Sequence, residues 1–431
     1  MFIILTLLVA LHFVLNRRHH TWLLPSHLLL LLEFILQTIF PILVVAKTQA
    51  HSHYTLALFI VLLGFTSFFV SYRLPSLFKS KFFISKSSVT HLYRKLDPYL
   101  RASSLVLFWI GVFLILLVFA NLKMIPALSS NTYGDARFFY NNPIYFKFFK
   151  YPYWMGITFI SVASVNLFIF SIKEKRFNLG SIAPILIAMV LLLLTRHRGP
   201  FFALCLSMYV FYFQLNPKKL KFIYALMHIS GAFATAMLML FLREGSGGLI
   251  EWVSKALTHG SSFVDFHEFA ESLALNDGKS LLLGKTYLGD LMSFIPSGLS
   301  DFRDTYRWKE WTKILFNAPP EAGGYRLTLF GESYFNFGLP GVVFQGALVG
   351  LVYRIWDEMI LKLQYAYSQG HAFSVSGYYL VASYTTFAST IAANFYNISF
   401  GAAMLVGCLL IFLCALGHRD FLSRKYQTGA L

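Results

Sequence analysis

A series of apolar runs of about 20 residues limits this fold more than any other feature, since each can cross a hydrocarbon core of roughly 30 Å as a helix. Inside lipid every backbone polar group must be satisfied within the protein, so only helices and closed barrels span it. A barrel would show alternating segments of about ten residues, and the chain has none. The runs cover Met1–Asn16, Trp22–Ala46, Tyr54–Tyr72, Ala102–Asn121, Pro152–Ser171, Leu179–Thr195, Phe201–Leu215, Phe222–Leu242, a stretch from Leu339 to near Arg354, Val375–Asn394 and Ile398–Gly417. A mean hydropathy of +0.62 with 13% charged residues agrees. The expected fold is an all-α polytopic membrane protein of about eleven transmembrane helices.

Charge placement orients the helices. The links that begin at Arg17, Arg73, Lys173, Lys218, Arg354 and Arg419 hold 20 of the 36 Lys/Arg but five of the 19 Asp/Glu. Cytoplasmic loops carry such an excess, so these links are expected inside and the alternate ones outside. Arg17-Arg18 follow the first apolar run instead of preceding it, which predicts a retained helix with its N-terminus outside and not a cleaved signal. The net charge of +17 is explained by this bias, and nucleic acid is not an expected partner. Cys205, Cys408 and Cys414 all lie in apolar runs without a CxxC pair, so they read as small buried hydrophobes.

One long segment, Arg243–Gly338, does not suit lipid. It holds 12 of the 19 acidic residues and falls on the outside. The chain therefore divides into 1–242 with helices one to eight, the outer loop 243–338, and 339–431 with helices nine to eleven. Leu249, Val253, Ala256 and Leu257 fall at helical spacing, as do Phe266, Phe269, Ala270 and Leu273. Asp277-Gly278 stops that second helix, and Leu281–Ile295 predicts a third that ends at Pro296. A loop of about 96 residues has little surface to bury, so its helices are expected to pack on the bilayer or on helix ends.

Two short stretches carry a resemblance. They are Thr195-Arg196-His197-Arg198-Gly199-Pro200 at a helix end, and Gly324-Tyr325-Arg326-Leu327-Thr328-Leu329-Phe330-Gly331-Glu332-Ser333-Tyr334-Phe335-Asn336-Phe337-Gly338 leading into a Gly-rich helix. With the long outer loop between them, the chain resembles the O-antigen polymerase family of bacterial oligosaccharide repeat-unit polymerases. The resemblance implies a GT-C-like helical fold in the bacterial inner membrane, with the active site facing the periplasm. It also implies a membrane glycosyltransferase of lipopolysaccharide polysaccharide biosynthesis. The growing glycan would pass from undecaprenyl diphosphate to a hydroxyl of the incoming lipid-linked unit. Lipid-linked donor and acceptor, membrane lipids and a chain-length regulator are the implied partners.

The residue types suit that chemistry. Arginine pairs bidentately with phosphate oxygens and never loses its charge. Arg196, Arg198, Arg243, Arg303 and Arg326 all fall on the outer side, where basic residues are disfavoured, and are the candidate diphosphate-binding set. Gly199 and Pro200 end one helix and start the next, which can leave backbone N–H groups for an anion. The acceptor hydroxyl needs a base, for which Glu332, Asp265 and His267 are the candidates, with Glu268 and His259 beside them. Glu332 leads because Gly331 and Gly338 bracket it at a membrane re-entry.

Other chemistries have less support. Asp301-Phe302-Arg303-Asp304 is not a DxD, and no His/Asp/Glu group has metal-ligand spacing, so neither a metal nor another cofactor is expected. P-loop, GxSxG and HExxH patterns do not occur. His27 and Glu33 could form a proton relay, but polar residues facing a bundle interior are often simply paired. An O-antigen ligase, which moves finished glycan to lipid A core, would share the outer loop; the Arg326–Gly338 stretch favours the polymerase. A lipid-linked oligosaccharide flippase would need twofold internal repetition, which is not seen.

Overall fold

The computed structural model describes residues 2–15, 24–34, 53–74, 88–122, 125–126, 149–174, 179–195, 198–215, 265–295, 298–318, 325, 327–368 and five positions between 406 and 416. Among them every regular element is a helix. Four are long and apolar enough to cross a membrane: Tyr54–Arg73, Tyr99–Asn121, Pro152–Ile172 and Gly331–Leu361. Shorter apolar helices cover Ile3–His12, Ile182–Leu194 and Leu204–Phe213. The expected helices Phe222–Leu242, Val375–Asn394 and Ile398–Gly417 lie largely or wholly outside the described residues, as does the amphipathic stretch at Leu249–Leu257.

The chain forms two compact units. One comprises Met1–Leu77, Leu220–Glu358 and Ala388–Ser399. Its first three helices are α1 (Phe2–Leu15), α2 (Pro25–Phe34) and α3 (Tyr54–Arg73). The other comprises Phe78–Lys219, Met359–Phe387 and Phe400–Leu431, and contains α4 (Ser88–Leu122), α5 (Lys150–Glu174), α6 (Leu179–Leu194) and α7 (Arg198–Leu215). Helix α4 starts well before Ala102 because the basic link continues it without a Gly or Pro break until Pro98, which the helix accommodates. In this second unit α4 and α5 run antiparallel and meet at Gly111 and Gly156, where a Cβ on either would lie within about 3 Å of the other's carbonyl oxygen. Asn166 donates to Ser104 Oγ at 3.1 Å across the same pair.

The first unit continues through the outer segment. It contains α8 (Asp265–Leu275), α9 (Lys285–Leu291) with a 3-10 turn at Met292–Phe294, α10 (Asp301–Tyr306), α11 (Trp308–Leu315) and, as far as Glu358, α12 (Gly331–Ser368). Helix α8 buries Phe266, Phe269, Ala270 and Leu273, the four positions that the spacing selects. The third helix begins at Lys285 and not at Leu281, because Leu283 and Gly284 hold positive φ (50° and 85°) that no helix tolerates. Helix α12 is broken at Gly338 (φ 64°, ψ −151°), a conformation open to glycine and costly for other residues. It does not end near Arg354 but runs on to Ser368.

Buried aromatic residues of the outer helices join the core of the membrane helices. Phe266, Phe269, Trp308, Trp311, Phe330 and Phe335 belong to one apolar cluster with Leu5, Val61, Phe65 and Phe68 of the first and third helices. Helix α8 meets α3 at its first residue, Tyr54, whose ring packs on Phe266. Helices α3 and α12 run in the same direction, with Ser67 donating to Val343 O at 2.7 Å and Arg354 to Tyr72 O at 2.5 Å. Glycines make their close approach possible: a Cβ on Gly346 would strike the Gly64 carbonyl oxygen, and one on Gly350 would strike Ser71 Oγ and Phe68 O.

At the far end of this unit Asp357 is buried and not solvated as a cytoplasmic charge would be. Its Oδ1 accepts the Ser26 N–H at 3.1 Å in the first turn of α2, and its Oδ2 accepts the Tyr72 hydroxyl at 2.7 Å. Ser26 also bonds His12 Nε2 at 3.1 Å, whose ring meets His27 edge-on. Asp357 therefore serves α2 as an N-cap supplied from another helix.

Candidate functional site

The leading candidate, Glu332, sits in the second residue of α12 and is buried. Thr286 of α9 donates its hydroxyl to Glu332 Oε1 at 2.9 Å, and Asn336, one turn further on, donates to Thr286 Oγ1 at 2.6 Å. Asn336 Oδ1 in turn accepts the Gly284 N–H at 2.9 Å. The backbone completes the joint: Leu282 N–H bonds Phe335 O and Leu283 N–H bonds Asn336 O, both at 3.0 Å. Those carbonyls have no helical donor beyond the Gly338 break, so the loop supplies the donors that the helix end lacks. The sharp backbone at Leu283-Gly284 lets it do so.

A second carboxylate stands beside the first. Asp290 of α9 is fully buried, and neither of its oxygens has a hydrogen bond of full geometry. Burial pushes its carboxyl up to about 7, against the pull of the Arg307 guanidinium, whose Nε lies 3.8 Å from Oδ1. The Trp308 N–H and the Glu332 carboxyl also approach closely enough to ease its charge. Tyr287, stacked on Phe337, is pushed upward by burial and then by Glu332 and Asp290. Burial is the largest cause of the upward shift at Asp290, and Arg307 opposes it.

His267 and Glu268 lie on α8, both half-buried. His267 Nδ1 is hydrogen-bonded to the hydroxyl of Tyr54, the first residue of α3, whose ring also packs on Phe266. A hydrogen bond at one ring nitrogen holds the plane of the imidazole. Asp265 opens α8. His259 lies outside the described residues.

The arginines divide differently. Arg303 is buried and paired with Asp304, which also accepts the Gly298 N–H at 2.6 Å. With Ser300 as N-cap of α10, the Asp301–Asp304 tetrad organises its own helix start. Arg303 is thus placed beside a carboxylate at the start of α10. Arg198 opens α7, with Pro200 in its first turn where the missing N–H costs nothing. Arg196, Arg243 and Arg326 lie outside the described residues. Among the described residues no three His, Cys, Asp or Glu side chains stand together as metal ligands would.

Sequence reasoning missed four partners: Tyr54, Thr286, Arg307 and Asn336. Asn336 falls inside the Gly324–Gly338 stretch, and its i+4 spacing from Glu332 was a usable signal. The others become neighbours only through the fold. No family model matches the chain, and neither does any curated protein or solved structure.

Proposed function

We propose that the chain polymerises undecaprenyl-diphosphate-linked oligosaccharide repeat units at the outer face of a bacterial inner membrane, within an eleven-span, GT-C-like fold. The observation that carries the reading is the joint at Glu332. The Gly331–Gly338 stretch, which bears the family resemblance, forms the head of an apolar span, and the acidic loop is bonded onto it through Thr286 and Gly284. Bonding the acidic loop to a membrane helix would hold it where two lipid-anchored substrates can be brought together.

In this reading the acceptor hydroxyl oxygen attacks the anomeric carbon of the donor sugar. The bond from that carbon to the diphosphate oxygen breaks, and the electron pair leaves with the undecaprenyl diphosphate. The acceptor proton passes to a base. His267 has the setting a base needs, half-buried and oriented by Tyr54, while Glu332 and Asp290 keep the loop in place. Arginines of the two motif stretches, Arg198 and Arg326 foremost, would balance the leaving group's charge. Parallel α3 and α12 support the finer topology, since an odd number of crossings must separate them and the charge bias gives five.

The test is complementation. Cells that lack a repeat-unit polymerase but make and export the matching lipid-linked unit would receive this chain, and surface glycan would be resolved by length. Ladders of many repeats support the reading. Single-unit glycan at normal protein level overturns it, and transfer of preformed long glycan to lipid A core would mark a ligase.

A further inference from the structure

The segment Lys285–Phe294 is turned inside out. At helical spacing Thr286, Asp290 and Ser293 are buried against protein, while Leu288, Leu291 and Phe294 are 50%, 48% and 57% exposed. A helix docked on a core in water shows the reverse pattern. Rolling over would not cure this, because the polar side is fixed: Thr286 bonds Glu332, Asp290 faces Arg307, and a Cβ on Gly289 would lie 2.6 Å from Arg307 N. The helix therefore presents hydrocarbon outward.

What meets that face is indicated by its continuation. Leu283 and Leu281 extend it at 73% and 44% exposure, and Leu281 Cδ1 would sit 3.8 Å from a Cβ on Gly338. Tyr287 stacks on Phe337 with centroids 6.0 Å apart. From Phe337 the exposed apolar surface passes to Leu339, Val343 and Phe344 on α12, which is long and apolar enough to be a membrane span. The outward face of α9 thus runs into the exposed apolar face of α12. Lys279 and Lys285 lie exposed at its edge, where lipid phosphates would be.

We propose that α9 and its 3-10 turn lie in the outer boundary of the bilayer, with Leu288, Leu291 and Phe294 set among acyl chains and Thr286 and Asp290 turned inward. This monotopic segment would hold the Glu332 joint at a fixed depth, next to where a lipid-anchored head group lies. It rests on α12 spanning the membrane and not on the polymerase reading.

The experiment uses the full chain with Cys205, Cys408 and Cys414 replaced by alanine, and one new cysteine from Leu288→Cys, Phe294→Cys or, as control, Asp301→Cys. Each would be spin-labelled and reconstituted into phosphatidylethanolamine–phosphatidylglycerol vesicles, and collisions with oxygen and with a water-soluble nickel chelate measured. The oxygen-to-nickel ratio should be several-fold higher at both test positions than at Asp301→Cys. Equal ratios would place the face in water and overturn the proposal. Exclusion of both reagents would overturn it too, by showing that a protein surface such as a second copy covers the leucines. Leu288 and Phe294 are exposed, so neither label disturbs a core, and agreement between two independent positions guards against one that misfolds.

Discussion

Gly346 of α12 rests on the backbone carbonyl of Gly64 in α3, with no space between them for a methyl group. The obstacle is backbone and cannot swing aside, and Ser67 Cβ stands 3.0 Å away on the same side. Gly346→Ala should therefore cost about 1–3 kcal/mol of overpacking, offset in part by the better helix propensity of alanine, about 1 kcal/mol. The check is the midpoint of thermal unfolding in detergent, which should fall. An unchanged or higher midpoint would mean that α3 and α12 are not held this close.

Asp290 gives the stability a pH dependence of known sign. Its folded pKa, about 7, is above the ordinary carboxylate value of 3.8, so between these limits the folded chain binds more protons than the unfolded one. Its contribution is most favourable below about pH 4 and weakens as pH rises through 7, with a slope approaching 1.4 kcal/mol per unit at most. Asp290→Asn removes this term. Unfolding midpoints of wild type and variant, followed from pH 5 to pH 8, should diverge in favour of the variant as pH rises. Parallel curves would show that Asp290 is ionised throughout.

How much of this was legible depends on distance along the chain. The buried face of α8 could be read because Phe266, Phe269, Ala270 and Leu273 repeat within one helix. Gly338 marked the head of the apolar span, and its positive φ explains why glycine stands there. Glu332 was singled out, but its partners Thr286 and Asp290 lie some forty residues back in a segment rich in acids, where nothing local distinguishes them. The same holds for Asp357, whose partners Ser26 and Tyr72 lie some 300 residues away and meet it only through the fold. The inverted face of α9 was hidden for another reason: period shows which residues share a face, not which face looks inward.

Tyr54 should matter through His267. Tyr54→Phe keeps the ring on Phe266 and removes only the hydroxyl at Nδ1. If His267 is the base, its own alanine variant should lose about 10²–10⁴ in rate. Tyr54→Phe should lose about 10–100-fold, by analogy with outer partners of ligating imidazoles, and shift the pH–rate profile. Purified chain acting on lipid-linked repeat units provides the measurement. A full rate for Tyr54→Phe with an unmoved profile would leave the tyrosine a packing residue.

Topology can be tested at a site the structure recommends. Gly278 occupies a turn with φ 71°, and a Cβ there would meet nothing within 4 Å, so a reporter fused at this point disturbs no packing. The charge bias places Gly278 outside and Ser87 inside. Alkaline phosphatase should be active at Gly278 and inactive at Ser87, with a cytoplasmic fluorescent reporter giving the opposite pattern. The same signal at both positions would refute the eleven-span arrangement and the odd number of crossings between α3 and α12.

The arginines of the two motif stretches pose the sharpest test of the reaction. A guanidinium that pairs bidentately with diphosphate as charge develops on the leaving oxygen contributes roughly 2–4 kcal/mol, or about 10²–10³ in rate, by analogy with loss of an oxyanion donor. Lysine supplies the charge without the fork, so Arg198→Lys and Arg326→Lys should each recover little of what alanine loses. An arginine that merely anchors a helix end behaves otherwise: alanine is mild there and lysine near normal. Arg303→Lys is the useful contrast, since Asp304 already holds that side chain and the consequence should fall on stability and not on turnover. Glycan ladders scored at matched protein level separate the cases. Full ladders with lysine at both Arg198 and Arg326 would remove arginine from the chemistry and leave the leaving group's charge to be balanced elsewhere.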